Sequence, residues 1–537
     1  MVGIGIFTAC QQEEFAPDVK IDEIANDYVP EGDPMVLGRQ LENPYSVENM
    51  KEALNNLKSN GRVTENVTIE TTHLYIRFLP KDTVEIALLE SDTTLELFDY
   101  PLDFEIEKIG NWYHDPAIPN NLPTWQYTVV TPDFAYPNVK YEILANLFLV
   151  DDEEENGRVS SSFWDNLETE ALRITGNLDA EEIEDNTAAR HRRKWNPSGR
   201  IRVEERLGGA DQRDVPVRYC KVRAQRWFKW GSANTSVSNG SFRISKQFRR
   251  EVNYSLKFET AGFKVTNFFG FATKHNGPKI KGAWNLNIAF SNGSESWVRA
   301  TFINAIYDFR TQASRHRIKL PGVLVTVKVR PVFKNGTSNA VGVIRHIPGI
   351  SILFRNDVRI FTKRSNGSLL ETDDLYSVVM HELGHVSHFL KSPANTIWSI
   401  GITGESWAEA VEYYFTLPYY RDVVTTRYNG NNPNALFEGN NDLSRTDIID
   451  GGNRSWKYTP FFIDLRDNTN QRNIHNGNVE WADDDVSGYT LEQMQTALNN
   501  RTKMSGVCEY LRKEYNNPTE NNLYDVLEFY TDIKNNH

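Results

Sequence analysis

Val378-Val379-Met380-His381-Glu382-Leu383-Gly384-His385 is the stretch that organises the C-terminal half of this chain. Residues four apart on a helix lie one above the other, so His381 and His385 can turn two imidazole nitrogens toward one ion with Glu382 beside them. The flanks predict that helix. Thr372-Asp373-Asp374 offers an N-cap and two acids for a first turn, Leu375, Val379, Leu383 and Val386 form one apolar stripe, and Lys391-Ser392-Pro393 ends it. The plainer alternative is a buried helix carrying two core histidines.

Two histidines are half a zinc site, because catalytic zinc usually takes three protein ligands and keeps a position for water. A third donor stands in Gly404-Glu405-Ser406-Trp407-Ala408-Glu409. Trp407, Ala410, Val411, Tyr414 and Leu417 recur near helical spacing up to Pro418, so a second helix is expected over 405–417. Glu405 and Glu409 lie one turn apart and can both face the first helix.

His381-Glu382-x-x-His385, nineteen intervening residues and then Glu405 resemble the gluzincin metallopeptidases, of the thermolysin type. The resemblance implies a zinc cofactor held by His381, His385 and Glu405, with Glu382 as general base. Glu409 stands where those families place an aspartate that braces the first histidine. The reverse assignment, Glu409 as ligand and Glu405 as brace, stays open, since carboxylates in either role look alike in sequence. In such a site zinc lowers the pKa of a bound water, Glu382 takes the proton, and the hydroxide attacks a carbonyl. The oxyanion then needs a further donor. Related enzymes take it from a later tyrosine or histidine; Tyr413, Tyr414, Tyr458 and His475 are the candidates, and His388 is either one more or a core residue.

The remainder of the chain narrows the setting. With 59 basic and 72 acidic residues among 537, the net charge is −13 and no long basic tract exists, so nucleic acid is not an expected partner. The aromatic content is ample for packed cores, the length implies several domains, and no eighteen-residue apolar run predicts a membrane span. Three cysteines exclude a disulfide framework, and Cys220 and Cys508 read as buried free thiols. Met1 to Cys10, an apolar stretch ending in Ala9-Cys10, resembles the lipobox of bacterial lipoproteins, although no Lys or Arg precedes it. Gln11-Gln12-Glu13-Glu14 resembles the acidic tag of surface-exposed lipoproteins. These resemblances imply a lipid on Cys10 and a place on the bacterial cell surface or outer membrane; the alternative is a ragged N-terminus.

The expected organisation is multidomain α+β. Residues 1–10 are read as a signal remnant, 11–61 as a tether, 62–150 as an N-terminal α/β domain, and 151–194 as a charged linker with a helix. Residues 195–267 form a small all-β sandwich, and 268–537 a gluzincin-like metallopeptidase domain with a mixed-sheet lobe and a helical lobe. The stretch 71–149 resembles a domain of gut-bacterial surface lipoproteins and could serve as pro-region, spacer or binding module. The 195–267 stretch, with alternating Val252, Tyr254, Leu256 and Phe258 and a turn at Asn239-Gly240, resembles transthyretin-like domains found beside carboxypeptidases. The expected function is a monomeric, surface-anchored zinc endopeptidase acting on protein or peptide. The alternative is an inactive protease-like lipoprotein that binds protein or glycan.

Overall fold

The computed structural model describes residues 32–150, 160–178, 193–392, 401–427, 444–450 and 458–535, except for 64, 66, 208–210, 291–294, 323–325, 337–338, 341–343, 348–349 and 354–357 within them. The readings of Met1 to Glu14, and of residues 151–159 and 179–192 of the expected linker, lie outside these residues. The fold is mixed α and β, with several separate sheets.

The first unit contains β1 (Val36–Gln40), α1 (Val47–Ser59), β2 (His73–Leu79), α2 (Thr83–Ser91), β3 (Phe104–Lys108), β4 (Gln126–Val130), β5 (Lys140–Leu147) and α3 (Ser161–Ile174). Alternation of Leu74, Ile76 and Phe78 makes β2 the central strand of an antiparallel β4-β2-β5 sheet. Ser46 caps α1 by accepting from the Asn49 amide at 3.1 Å. The tether expected as far as residue 61 ends earlier. Met35, Tyr45, Met50 and Leu54 are already buried in one core with Tyr75 and Tyr127, and β1 pairs with β3. Polar composition and four prolines hid this, because one strand and one amphipathic helix suffice to join a core.

The central unit runs through β6 (Ser198–Leu207), β7 (Asp211–Pro216), β8 (Lys221–Arg226), β9 (Lys229–Asn234), β10 (Ser241–Arg243), β11 (Val252–Lys257), β12 (Glu259–Thr260), β13 (Phe263–Val265), β14 (Lys274–Ile280) and β15 (Trp284–Ile288). Sheets β10-β6-β15, with β7 on β6, and β14-β11-β8-β9 contribute Ile201, Val203, Val222, Tyr254 and Leu256 to the core. Gly240, at φ +74°, makes the expected turn, and a Cβ there would strike the Ile201 carbonyl oxygen. The boundary drawn at 267 is not respected. β15, expected in the metallopeptidase sheet, pairs in parallel with β6, while β13 leaves for another sheet.

That other sheet, β12-β13-β16-β20-β17, uses β16 (Val327–Val332), β17 (Asn339–Ala340) and β20 (Val358–Phe361); a separate hairpin joins β18 (Ile344–Ile347) to β19 (Ile350–Leu353). Around it stand α4 (Glu295–His316), α5 (Thr372–Lys391) and α6 (Ile402–Arg427), followed by α7 (Arg445–Asp450), α8 (Phe461–Asp464), α9 (Gln471–Ile474), α10 (Leu491–Leu498), α11 (Met504–Glu514) and α12 (Leu523–Asn535). One continuous core runs from Ile201 to Tyr530. A capping box opens α10, Thr490 accepting from the Gln493 amide. Pro418, expected to end α6 at Leu417, lies inside it. Buried Phe415 and Tyr420, the latter donating to Glu205 at 3.0 Å, hold both sides of the proline against its cost of about 3 kcal/mol. Cys220 and Cys508 are buried and free, and among the described residues no helix is long and apolar enough to cross a membrane.

The first unit meets the central one through Phe228, which enters the core of Tyr75 and Phe98, and through ion pairs. Glu90 lies 3.0 Å from Lys264 and 2.9 Å from Lys328; Glu168 lies 2.9 Å from Arg250. Burial alone would raise the Glu90 carboxyl, but Lys328 and Lys264 reverse this and bring it down to about 2; Lys229 and Arg250 likewise overcome burial at Glu168, also about 2. Such a group binds fewer protons folded than unfolded, so its contribution is complete above the ordinary 4.5 and is lost as pH falls toward about 2. Acidification through that window is expected to raise amide exchange in α2 and α3 before α4. Exchange rising first in α4 would contradict this.

Candidate metal centre

The start of α5 is fixed from outside. Asp374 Oδ2 accepts from the Glu371 amide at 3.3 Å, and Thr372, expected as the N-cap, instead accepts from the Arg206 amide of β6 at 2.9 Å through Oγ1. The N-cap is Glu371. Downstream, α5 is buried on every side as far as Phe389, so its neighbours must fit closely. Gly384 permits this. A Cβ at that position would lie 3.0 Å from Ala408 Cα and 3.1 Å from Val411 Cβ, and the Gly384 carbonyl accepts from Trp407 Nε1 at 3.2 Å. The approach of α6 carries Glu405 to the two histidines.

His381, at 0% exposure, and His385, at 6%, place their rings edge to face with centroids 4.9 Å apart. Glu405 Oε2 lies 3.4 Å from His381 Nε2 and 3.1 Å from His385 Nε2. A tetrahedral zinc with bonds of about 2.0–2.1 Å spaces its ligand atoms roughly 3.3 Å apart. Two neutral imidazoles and one carboxylate are also the donor chemistry zinc takes, so the residues fit the ion. Burial pushes the Glu405 carboxyl up, but His385 and His381 outweigh it and hold it at about 2, ionised at pH 7.

The other nitrogen of His381 faces a second carboxylate pair. Nδ1 lies 3.1 Å from Glu412 Oε2 and 3.7 Å from Glu409 Oε1, and Ser377 Oγ donates to Glu412 Oε1. Glu409 therefore sits on the Nδ1 side of His381, whereas Glu405 sits between the two Nε2 atoms. His381, Glu409 and Glu412 form a second compact group of donors, but one that excludes His385. Glu412 is not among the residues expected from the sequence. Its signal was present: 405, 409 and 412 fall on one helical face, in a segment otherwise built from Ser406, Trp407, Ala408, Ala410 and Val411.

Glu382, fully buried beside His381, lies on the same helix. Tyr458 packs its ring 6.0 Å from that of His381. Tyr414 donates its hydroxyl to the Ile463 carbonyl at 3.1 Å, Tyr413 stands edge to face against it, and His475 stacks on Trp481. His388 is buried, which with His385 nearby lowers its pKa to about 4, leaving it neutral at pH 7. No known protein family and no curated protein matches this chain by sequence.

Two substitutions test the packing and the brace. Gly384→Ala would add about 1 kcal/mol in an unconstrained helix; here it is expected to lower Tm and weaken zinc binding, and a raised Tm with unchanged zinc affinity would contradict the close approach. Glu412→Ala is expected to weaken zinc binding by about 10–100-fold in competition with a chelating dye. Unchanged affinity would show that Glu412 does not orient His381.

Proposed function

We propose that the chain is a zinc-dependent peptidase of the gluzincin type, with His381, His385 and Glu405 holding the ion. The observation that carries this is the spacing of the two Nε2 atoms about Glu405 Oε2, 3.4 and 3.1 Å, with Glu382 adjacent in sequence to the first histidine. Zinc held there would supply Lewis acidity and lower the pKa of a water. Glu382, buried and not needed to hold an ion, is assigned the proton of the attacking water and its return to the departing amine. Glu412 and Glu409 hold His381 through Nδ1, and Tyr458 is assigned as donor to the oxyanion. A sheet preceding α5 and helices following α6 agree with the two-lobed arrangement of such enzymes.

The test is a pair of measurements on Glu382→Gln: bound zinc by mass spectrometry and cleavage of a mixed peptide library. Zinc is expected to stay near one per chain while cleavage falls by at least about 10²-fold. Undiminished cleavage would remove Glu382 from its role, and wild-type protein without zinc or cleavage would favour a binding lipoprotein. The lipid on Cys10 belongs to the same proposal; fatty-acid labelling that persists in Cys10→Ser would remove it.

A further inference from the structure

Away from α5 and α6, the β14-β11-β8-β9 sheet carries an unusual row of charge. Lys257 on β11 stands directly opposite Lys221 on β8 and opposite Lys274 on β14. Arg223, two residues along β8, points to the same face. Like charges directly opposed across strands destabilise a sheet, and burial makes the opposition stronger. Here the Arg223 side chain is 2% exposed and that of Lys274 8%. A row of this kind persists only where anions cover it.

The first unit supplies part of the cover. Glu96 reaches Lys221 at 2.8 Å, Arg223 at 2.8 Å and Lys257 at 2.7 Å, while Asp99 pairs with Lys274. Glu259 of β12 adds a contact of 3.1 Å to Lys221. One carboxylate thus serves three cations. The surfaces do not close completely over the row: a cavity of about 440 Å³ remains at the seam, within the range of small-molecule sites. Its lining also includes Lys264 and Arg299 among the bases and Glu90 and Asp92 among the acids, so bases outnumber acids by one. Asp92 accepts from the amide and hydroxyl of Thr94. Burial, reinforced by Arg223 and Lys257 and opposed by Asp99, holds the Lys274 ammonium below the usual lysine range. Half-buried Trp112, Tyr113, Phe269 and Phe271 give the lining its aromatic part.

We propose that this seam cavity binds a small carboxylic acid, its carboxylate toward the Lys221, Lys257 and Lys274 row and its carbon skeleton against Trp112, Tyr113, Phe269 and Phe271. A carboxylate brings one negative charge to a wall that already carries five acids, whereas a phosphate dianion brings two. Aromatic faces with nearby amides, such as Gln126 and Asn234, suit either a short peptide with a free C-terminus or an oligosaccharide bearing a uronic acid. The site shares no residue with the centre at His381 and does not depend on the peptidase reading.

The test is calorimetric titration of the full chain with an N-acetylated tripeptide of uncharged side chains and its C-terminal amide, and with a disaccharide carrying one uronic acid and its neutral methyl ester. One acid is expected to bind with Kd below about 1 mM and its neutral counterpart about tenfold or more weakly. Binding by the peptide assigns a peptide ligand; binding by the uronate assigns a glycan. Lys274→Met is expected to weaken that binding about tenfold. Because removing a buried lysine can unfold the seam, Phe271→Ala serves as a second variant, read only in protein that keeps the wild-type Tm. The proposal is overturned if neither acid binds better than its neutral counterpart, or if binding is unchanged in a folded variant of either kind.

Discussion

The interior between α5 and α6 holds two imidazoles and a row of carboxylates where water is scarce. Ionised groups so buried are costly unless each finds a partner of opposite character. Glu405 meets both Nε2 atoms, and Glu412, which accepts from the Ser377 hydroxyl, meets Nδ1 of His381. That pairing requires the helices to touch, and Gly384 is the position where they do. The surrounding fold serves this contact. β6 grips the head of α5 through Thr372, Trp407 locks α6 onto the Gly384 carbonyl, and Glu205 of β6 receives the hydroxyl of Tyr420 beyond Pro418.

Helix α5 was readable because its residues repeat at helical spacing and its two histidines fall four apart. The second helix was readable as far as Leu417. Local rules then gave the wrong end, since Pro418 stops an isolated helix but not one anchored on both sides by buried aromatics. Caps followed the same division. Thr490 caps α10 as its capping box implies, whereas Thr372 is diverted to the Arg206 amide by tertiary contact, leaving Glu371 as the cap. Glu412 was legible in principle, on one face with Glu405 and Glu409, yet nothing local separates a bracing carboxylate from a solvated one.

Domain limits were the least legible feature. Alternation reveals a strand but not its partner. Trp284–Ile288 reads equally well as the first strand of a following unit or the last of a preceding sheet, and its parallel register with β6 is a long-range fact. β13, a few residues earlier, joins β16 instead. The same holds for β1, where Val36-Leu37-Gly38-Arg39-Gln40 gives no hint that it pairs with β3. The seam of the first unit with the central sheets is likewise built from residues far apart in sequence, such as Glu96 with Lys257, 161 positions apart.

The most direct measurement of the central claim is X-ray absorption at the zinc edge of the purified, zinc-loaded chain. The expected spectrum shows two imidazole nitrogens and one carboxylate oxygen around the ion, completed by solvent oxygen, at about 2.0–2.2 Å. A shell containing sulfur near 2.3 Å, an all-oxygen shell, or a chain that takes up no zinc would contradict it.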